Sequence, residues 1–426
     1  MSTTTTNADT VASTPDAESS SSLKVLIADK FEKSGMTGLE ALGCQIQSLP
    51  DLNADNLPDA MKEHDPDVLI VRSTKVPEPV FEAADALSLV IRAGAGYDNI
   101  NIEAASSRGI FVANCPGKNA IAVAELAWGL ILGCDRRIPD ATHDLRQGIW
   151  NKKGYAKDAK GLYGRTLGVI GLGRIGLEIA KRGKAFGMRV VAWSRSLNEE
   201  RADDLGLGYC SSIINLVKMC DVISVNVAAT PDTKHLINEQ VCNSIKEGAY
   251  LINTSRGSVV DQDALAKAIQ ERNLRVGLDV YANQPTPSDQ AFKDSIINEA
   301  NVIGTHHNGA STEQAQNAIA AETVRIIEEY TSSGHVPNCV NRAASTPATS
   351  LLTVRHLNQP GVLAHVFYTL GQAGINVEEM ENVIYDGAKA ACARIQLDDV
   401  PADEILNTIN TNDHVLSVTL ANMPAH

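Results

Sequence analysis

Residues Thr166 to Gly176 read T-L-G-V-I-G-L-G-R-I-G, an apolar run leading straight into glycines at 171, 173 and 176. After a strand and before a helix, this G-x-G-x-x-G spacing marks a turn that binds a dinucleotide pyrophosphate. Gly171 makes the tight turn, Gly173 lets backbone approach the phosphates, and Gly176 lets helix and strand pack closely. The helix expected from Arg174 and Ile175 onward aims its free amides at the phosphates. Because the turn lies near the middle of the chain, the lobe facing it must come largely from the residues before it.

Short apolar strand candidates precede the turn at 24–28, 67–71 and 89–92. A second series runs through 167–170, 189–192, 222–227, 249–253, 276–279 and 302–305. Strands alternating with helical patterns predict two doubly wound, Rossmann-like α/β domains. Long helical patterns cover 120–134 and 313–330, and the second is expected to pack back on the first unit. The expected layout is a discontinuous substrate domain (23–120 and 306–335), a dinucleotide domain (121–305), a Ser/Thr/Ala/Pro-rich linker (336–349) and a third unit (350–426). In that unit the patterns run βαββαβ, a split-βαβ sandwich.

The 426 residues carry a net charge of −14. This argues against a nucleic-acid or anionic-membrane surface, and an anionic substrate then requires a local cationic pocket. The eight cysteines are scattered without a C-x-x-C pair, which points to reduced thiols and a cytoplasmic protein. Residues 1–22 are Ser/Thr-rich with no basic residue and read as a disordered tail. No apolar run is long enough to span a bilayer.

Cofactor choice is expected at the end of the second strand of the dinucleotide domain. NAD sites place Asp or Glu there; this chain has Ser194 and Arg195. A carboxylate repels a 2′-phosphate, whereas serine and arginine accept one. The cofactor is therefore NAD or NADP, with a lean towards NADP.

Further motifs follow in order: R-A-G-A-G-Y-D-N at 92–99, N-C-P-G-K-N at 114–119, the glycine turn, N-T-S-R-G at 253–257, G-L-D-V at 277–280 and H-H-N-G-A-S-T at 306–312. Together they resemble the D-isomer-specific 2-hydroxyacid dehydrogenase family over residues 24–335. The resemblance implies that Arg256 holds the substrate carboxylate and polarises the carbonyl, and that His307 moves the hydroxyl proton. It adds Thr254, Ser255, Asp279 and Gly309 to the cofactor contacts. Substrate contacts are implied at Arg72, Ser73, Arg92 and Gly94, with Lys152 reaching from a neighbouring subunit of a homo-oligomer (dimer or tetramer). No ligand set accompanies His306 and His307, so no metal site is expected.

Residue 284 departs from the family, which has glutamate there to pair with the histidine. Gln284 can orient an imidazole but cannot stabilise its charged form as a carboxylate does. His307 is expected to titrate lower than in relatives with glutamate, and keto-acid reduction to fade sooner as pH rises. Formate dehydrogenases of this family, which abstract no proton, resemble this glutamine–histidine pairing.

The tail carries R-H-L-N-Q-P-G at 355–361 and G-I-N-V at 374–377, resembling an ACT regulatory domain. With the family match this implies oxidation of 3-phosphoglycerate to 3-phosphohydroxypyruvate in L-serine synthesis. It also implies inhibition by L-serine bound at His356, Asn358 and Asn376. Two alternatives stand beside it: an NADP(H)-dependent glyoxylate or hydroxypyruvate reductase, and a non-catalytic nucleotide sensor that binds protein partners.

Overall fold

The computed structural model describes residues 22–285, 291–343 and 345–423; nearly all of the expected N-terminal tail lies outside them. The chain forms two compact units, Met1–Asn341 and Arg342–His426.

The first unit holds two parallel sheets. β1 (Lys24–Ile27), β2 (Gln45–Ser48), β3 (Val68–Val71), β4 (Leu89–Arg92) and β5 (Phe111–Asn114) are ordered β2-β1-β3-β4-β5. β3 is buried throughout and β1 nearly so, as expected for short apolar strands covered on both faces. The second sheet contains β6 (Thr166–Ile170), β7 (Arg189–Trp193), β8 (Gly208–Tyr209), β9 (Val222–Val225), β10 (Tyr250–Asn253), β11 (Arg275–Leu278) and β12 (Val302–Gly304), ordered β12-β11-β10-β9-β6-β7-β8. The order reverses beside β6, so the crevice of a topological switch point opens at the glycine turn. The edge strand β8 has only two residues, too few to show a period in the sequence.

Five helices of this unit matter for the site: α1 (Lys33–Ala41), α2 (Ala120–Arg136), α3 (Lys152–Asp158), α4 (Arg174–Ala185) and α5 (Glu313–Ser333). α2 buries Ala127, Trp128 and Ile131 in a core shared with β6 and α4. α5 buries Ile319, Ile326 and Ile327 with Leu39 of α1 and Val25 of β1. The chain after the second sheet thus returns to complete the first. Residues expected to begin the linker are in fact ordered on this lobe. Cys339 bridges Ala113 in antiparallel fashion, and Asn341 Oδ1 accepts from the Val112 amide at 2.8 Å. The open edge of β5 has unpaired backbone groups to satisfy, and this segment supplies partners.

The second unit is an antiparallel sheet of β13 (Ser350–Leu357), β14 (Val377–Ile384), β15 (Ala390–Leu397) and β16 (Val415–Asn422), ordered β14-β15-β13-β16. α6 (Val362–Gln372) and α7 (Asp403–Asn410) lie in its βαββαβ order. Val366, Leu370 and Ile409 bury against alternate residues of β13 and β15, the period-2 pattern of a sheet covered on one face.

Candidate active site

The glycine turn comes first. Gly171 has a φ of +91°, and a Cβ there would lie 2.7 Å from the Asn226 carbonyl oxygen, so both conformation and space exclude a side chain. At Gly173, the residue before α4, nothing stands within 4 Å of where a Cβ would be. That gap sits at the helix N-terminus, where free amides favour an anion. Gly176 packs against the Gly171 carbonyl, and Ile175 joins the core under α4. The Thr254 hydroxyl is buried with no partner among the described residues. An unpaired buried hydroxyl and an open amide cradle are features a dinucleotide can complete.

Arg174 extends from this turn to the first lobe, where it donates to the Pro116 carbonyl. Ser194 and Arg195 follow β7 at the C-terminal edge of the sheet. Ser194 is half-buried and Arg195 exposed. The Arg195 guanidinium lies 3.9 Å from Asp232, an exposed pair that contributes little to stability.

Asn253 at the end of β10 builds the next segment. Its Oδ1 accepts from the Ser255 amide (3.0 Å) and hydroxyl (2.8 Å), and its Nδ2 donates to the Arg256 carbonyl (2.9 Å). This side-chain turn projects Arg256 across the cleft. There the guanidinium forks onto Asp98, at 2.9 and 3.2 Å, in the loop after β4. Burial alone would raise the Asp98 pKa, but the Arg256 hydrogen bonds and charge outweigh it and hold the carboxyl below its ordinary value.

His307 has a φ of +52°, a left-handed conformation that is uncommon outside glycine. Asp279 holds the loop in it. The Asp279 carbonyl accepts from the His307 amide at 2.8 Å. Its carboxylate accepts from Thr305 Oγ1 (2.6 Å) and the amides of Asn308 (2.9 Å) and Gly309 (3.0 Å). Asp279 is buried, so the structure gives it and Gly309 a bracing part in the histidine loop.

The His307 ring meets Gln284, with Nδ1 2.8 Å from Nε2 and 3.1 Å from Oε1. The amide can therefore donate to a neutral ring or accept from a protonated one, and it brings no charge. Although solvent reaches the residue from the cleft, the surrounding walls withdraw water from the ring. This desolvation, followed by the positive charge of Arg256, holds the His307 pKa below the ordinary histidine value, against the pull of Asp279.

Arg92 ends β4 beside Arg256 and Arg72. Burial, then the Arg256 charge, lowers its pKa to about 10, so it stays charged at neutral pH. Its Nε is buried without a partner among the described residues. The Gly94 backbone makes room for it, since a side chain there would collide with the Arg92 guanidinium. Arg72 donates from Nη2 to Ser311 Oγ at 3.3 Å. The cleft thus gathers Arg72, Arg92, Arg256 and His307, the local cationic pocket that an acidic chain requires for an anion.

Five further expected residues have other surroundings. Ser73 Oγ donates to Asp29 at 2.8 Å, and that carboxylate also accepts the amides of residues 72–74. Lys152, on α3, lines a separate surface pocket with Trp150 and Tyr155. In the second unit His356 is buried, with Nδ1 2.8 Å from the Leu357 carbonyl and Nε2 3.2 Å from Asn382 Oδ1. Asn358 and Asn376 bond to the Ala388 carbonyl (3.1 Å) and Glu378 (2.7 Å). The sequence reading missed Asp29, Asp98 and the brace at Asp279; the Asp-Asn pair at 98–99 stood within a quoted motif, but nothing local marks its partner 158 residues away. Among the described residues no group of His, Cys, Asp and Glu could hold a metal ion, and no helix is long and apolar enough to cross a membrane.

Residues 128–309 match the family described as D-isomer specific 2-hydroxyacid dehydrogenase, NAD binding domain. The chain is 41% identical over 310 residues to the D-3-phosphoglycerate dehydrogenase of Methanocaldococcus jannaschii, a match covering 71% of this chain and 57% of that protein. It is 42% identical over 263 residues to the hydroxypyruvate reductase of Thermotoga maritima, covering 61% of this chain and 83% of that one. Among solved structures, the NADPH-dependent glyoxylate/hydroxypyruvate reductase of Sinorhizobium meliloti in complex with NADP and malonate superposes with a TM-score of 0.65 at 29% identity. That match covers 76% of this chain and all of the other. The cleft, the glycine turn and these similarities lead to one conclusion: the chain belongs to the D-isomer-specific 2-hydroxyacid dehydrogenase family.

Proposed function

We propose that the protein oxidises 3-phosphoglycerate to 3-phosphohydroxypyruvate, the first step of L-serine synthesis, with NAD or NADP. The observation that carries this reading is the gathering of Arg72, Arg92 and Arg256 in one cleft. A 2-hydroxy acid with a single carboxylate needs one such fork; two further guanidiniums suit a phosphate. When bound, the nicotinamide accepts or returns the hydride. Arg256 holds the carboxylate and steadies charge on the carbonyl oxygen. His307 takes the hydroxyl proton in oxidation and gives it back in reduction.

The reductase reading draws on the Thermotoga relative and on Ser194 and Arg195. Assays with 3-phosphoglycerate, hydroxypyruvate and glyoxylate, each with both cofactors, separate the two. Turnover of the last two without the first would replace the phosphoglycerate assignment. In the same assays, Arg195→Ala is expected to lower kcat/KM with NADP about tenfold or more, the loss of a charged hydrogen bond, and to leave NAD nearly unchanged. Equal effects on both cofactors would remove Arg195 from the 2′-phosphate site.

The pH dependence follows from His307. Its pKa is lowered, so reduction, which needs the protonated ring, fades as pH rises through that low value. Oxidation, which needs the neutral ring, rises over the same interval. Gln284→Glu adds a carboxylate that favours imidazolium and is expected to move both limbs towards alkaline pH. A pH–rate profile identical to that of the parent would reject the pairing as a determinant of proton transfer.

We read the second unit as an ACT domain that binds L-serine, from its strand order and the placement of His356, Asn358 and Asn376. At strand ends, Asn376 is exposed and Asn358 half-buried; His356 would shape the site from beneath. Calorimetry on the full chain is expected to show serine binding that Asn376→Ala weakens about tenfold, the loss of one hydrogen bond to a charged group. Absence of serine heat from the parent chain would count against the domain's regulatory role.

A further inference from the structure

Arg256 presents two edges, and Asp98 takes only one of them. Nε and Nη2 donate to the two Asp98 oxygens, at 3.2 and 2.9 Å, and Nη1 donates to the Ser255 carbonyl at 2.9 Å. A guanidinium has five N–H bonds; one on Nη1 and one on Nη2 remain. A substrate carboxylate can take those two end-on while Asp98 stays in place. The approach is close, because a Cβ at Gly96 would run into Nη2. Asp98 and Gly96 share the loop after β4, so one loop both pins the side edge of Arg256 and, with no side chain at 96, leaves room for Nη2. Asp98 is also an acidic group among the cations Arg92, Arg256 and His307.

We propose that Asp98 is a positioning residue: it grips Arg256 by its Nε/Nη2 edge so that the Nη1/Nη2 edge is aimed at the substrate carboxylate. The inference rests on the dehydrogenase reading above. Its rival is a placeholder, in which Asp98 occupies Arg256 only until substrate displaces it. The two differ in kinetics. Loss of a grip misaligns the fork in the transition state and lowers kcat, whereas loss of a competitor lowers KM alone.

Asp98→Asn, Asp98→Ala and Asp98→Glu decide between them, assayed in the full chain with hydroxypyruvate and reduced cofactor across pH. Asn and Ala are expected to lower kcat about tenfold or more, a typical cost of misplacing a catalytic group, with a smaller change in KM. Glu, which keeps the carboxylate, should recover part of the loss. The alkaline limb should move to lower pH in Asp98→Asn, because His307 is left facing Arg256 and Arg92 with Asp279 as its remaining acidic neighbour. An unchanged kcat, with or without a lower KM, overturns the proposal. If the parent chain reduces no 2-keto acid, the dehydrogenase reading falls instead. NMR titration of His307 in parent and Asp98→Asn then judges Asp98 by itself: a lower midpoint upholds its place in the cluster, and an unmoved one rejects it.

Discussion

Replacing Arg256 by alanine is expected to reduce kcat/KM on the order of 10³-fold, the scale seen when a donor to a developing oxyanion is removed. The physical cause is double. The substrate loses the fork that holds its carboxylate and polarises its carbonyl. The cleft also gains an unpaired carboxylate, since Asp98, now bonded at 2.9 and 3.2 Å, is left facing an anionic substrate. Arg256→Lys should recover little, because an ammonium is a point charge that cannot hold Asp98 on one edge and present another. Steady-state kinetics with the preferred substrate check this. A loss under tenfold for alanine, or a fully active lysine variant, would contradict the assigned role.

Replacing Glu322 by alanine is expected to destabilise the first unit by about 1–3 kcal/mol, the scale of losing hydrogen bonds to charged groups while the cations left behind, Lys118 and Arg325, remain partly solvated. Glu322 lies on α5 with its side chain 7% exposed. It accepts from Arg325 at 2.7 and 3.1 Å, from Lys118 at 3.0 Å and from Asn338 Nδ2 at 2.8 Å. One carboxylate thus ties α5 to the segment that enters α2 and to the strand-edge segment after α5. The Arg325 hydrogen bonds are the largest cause of its low pKa, about 2. The sign follows. With the folded value below the unfolded carboxyl value of roughly 4.3, the stabilisation is complete above that pH. It is lost as pH falls towards about 2. Urea melts of parent, Glu322→Ala and Glu322→Gln at pH 7 and in the acid range test both parts. The glutamine variant, which does not titrate, should lose the portion of acid sensitivity due to this group. A parent-like melt for the alanine variant would show that the network adds little.

The parallel-sheet lobes and the glycine turn were legible in the chain because their signals are local. Buried parallel strands need unbroken apolar runs, and a pyrophosphate turn needs glycine at three fixed offsets. The βαββαβ order of the tail was legible for the same reason, through alternation on one sheet face. Arg256, Gln284 and His307 were legible only through resemblance, as no spacing in the sequence says that residues 256, 284 and 307 converge. The linker boundary was misread because Ser/Thr-rich composition describes a solvated segment, and composition cannot register that Asn341 answers the Val112 amide.

By itself, then, the sequence determined the elements, their order and the point where a dinucleotide phosphate can be cradled, since each depends on neighbours a few residues apart. Only the tertiary structure decided which charges face one another. It set Asp98 on one edge of Arg256, curled the histidine loop around Asp279, matched an uncharged amide to His307 and buried His356 within its sheet. Those arrangements depend on side chains brought together from distant parts of the chain, with energies set by burial and distance that no local pattern encodes.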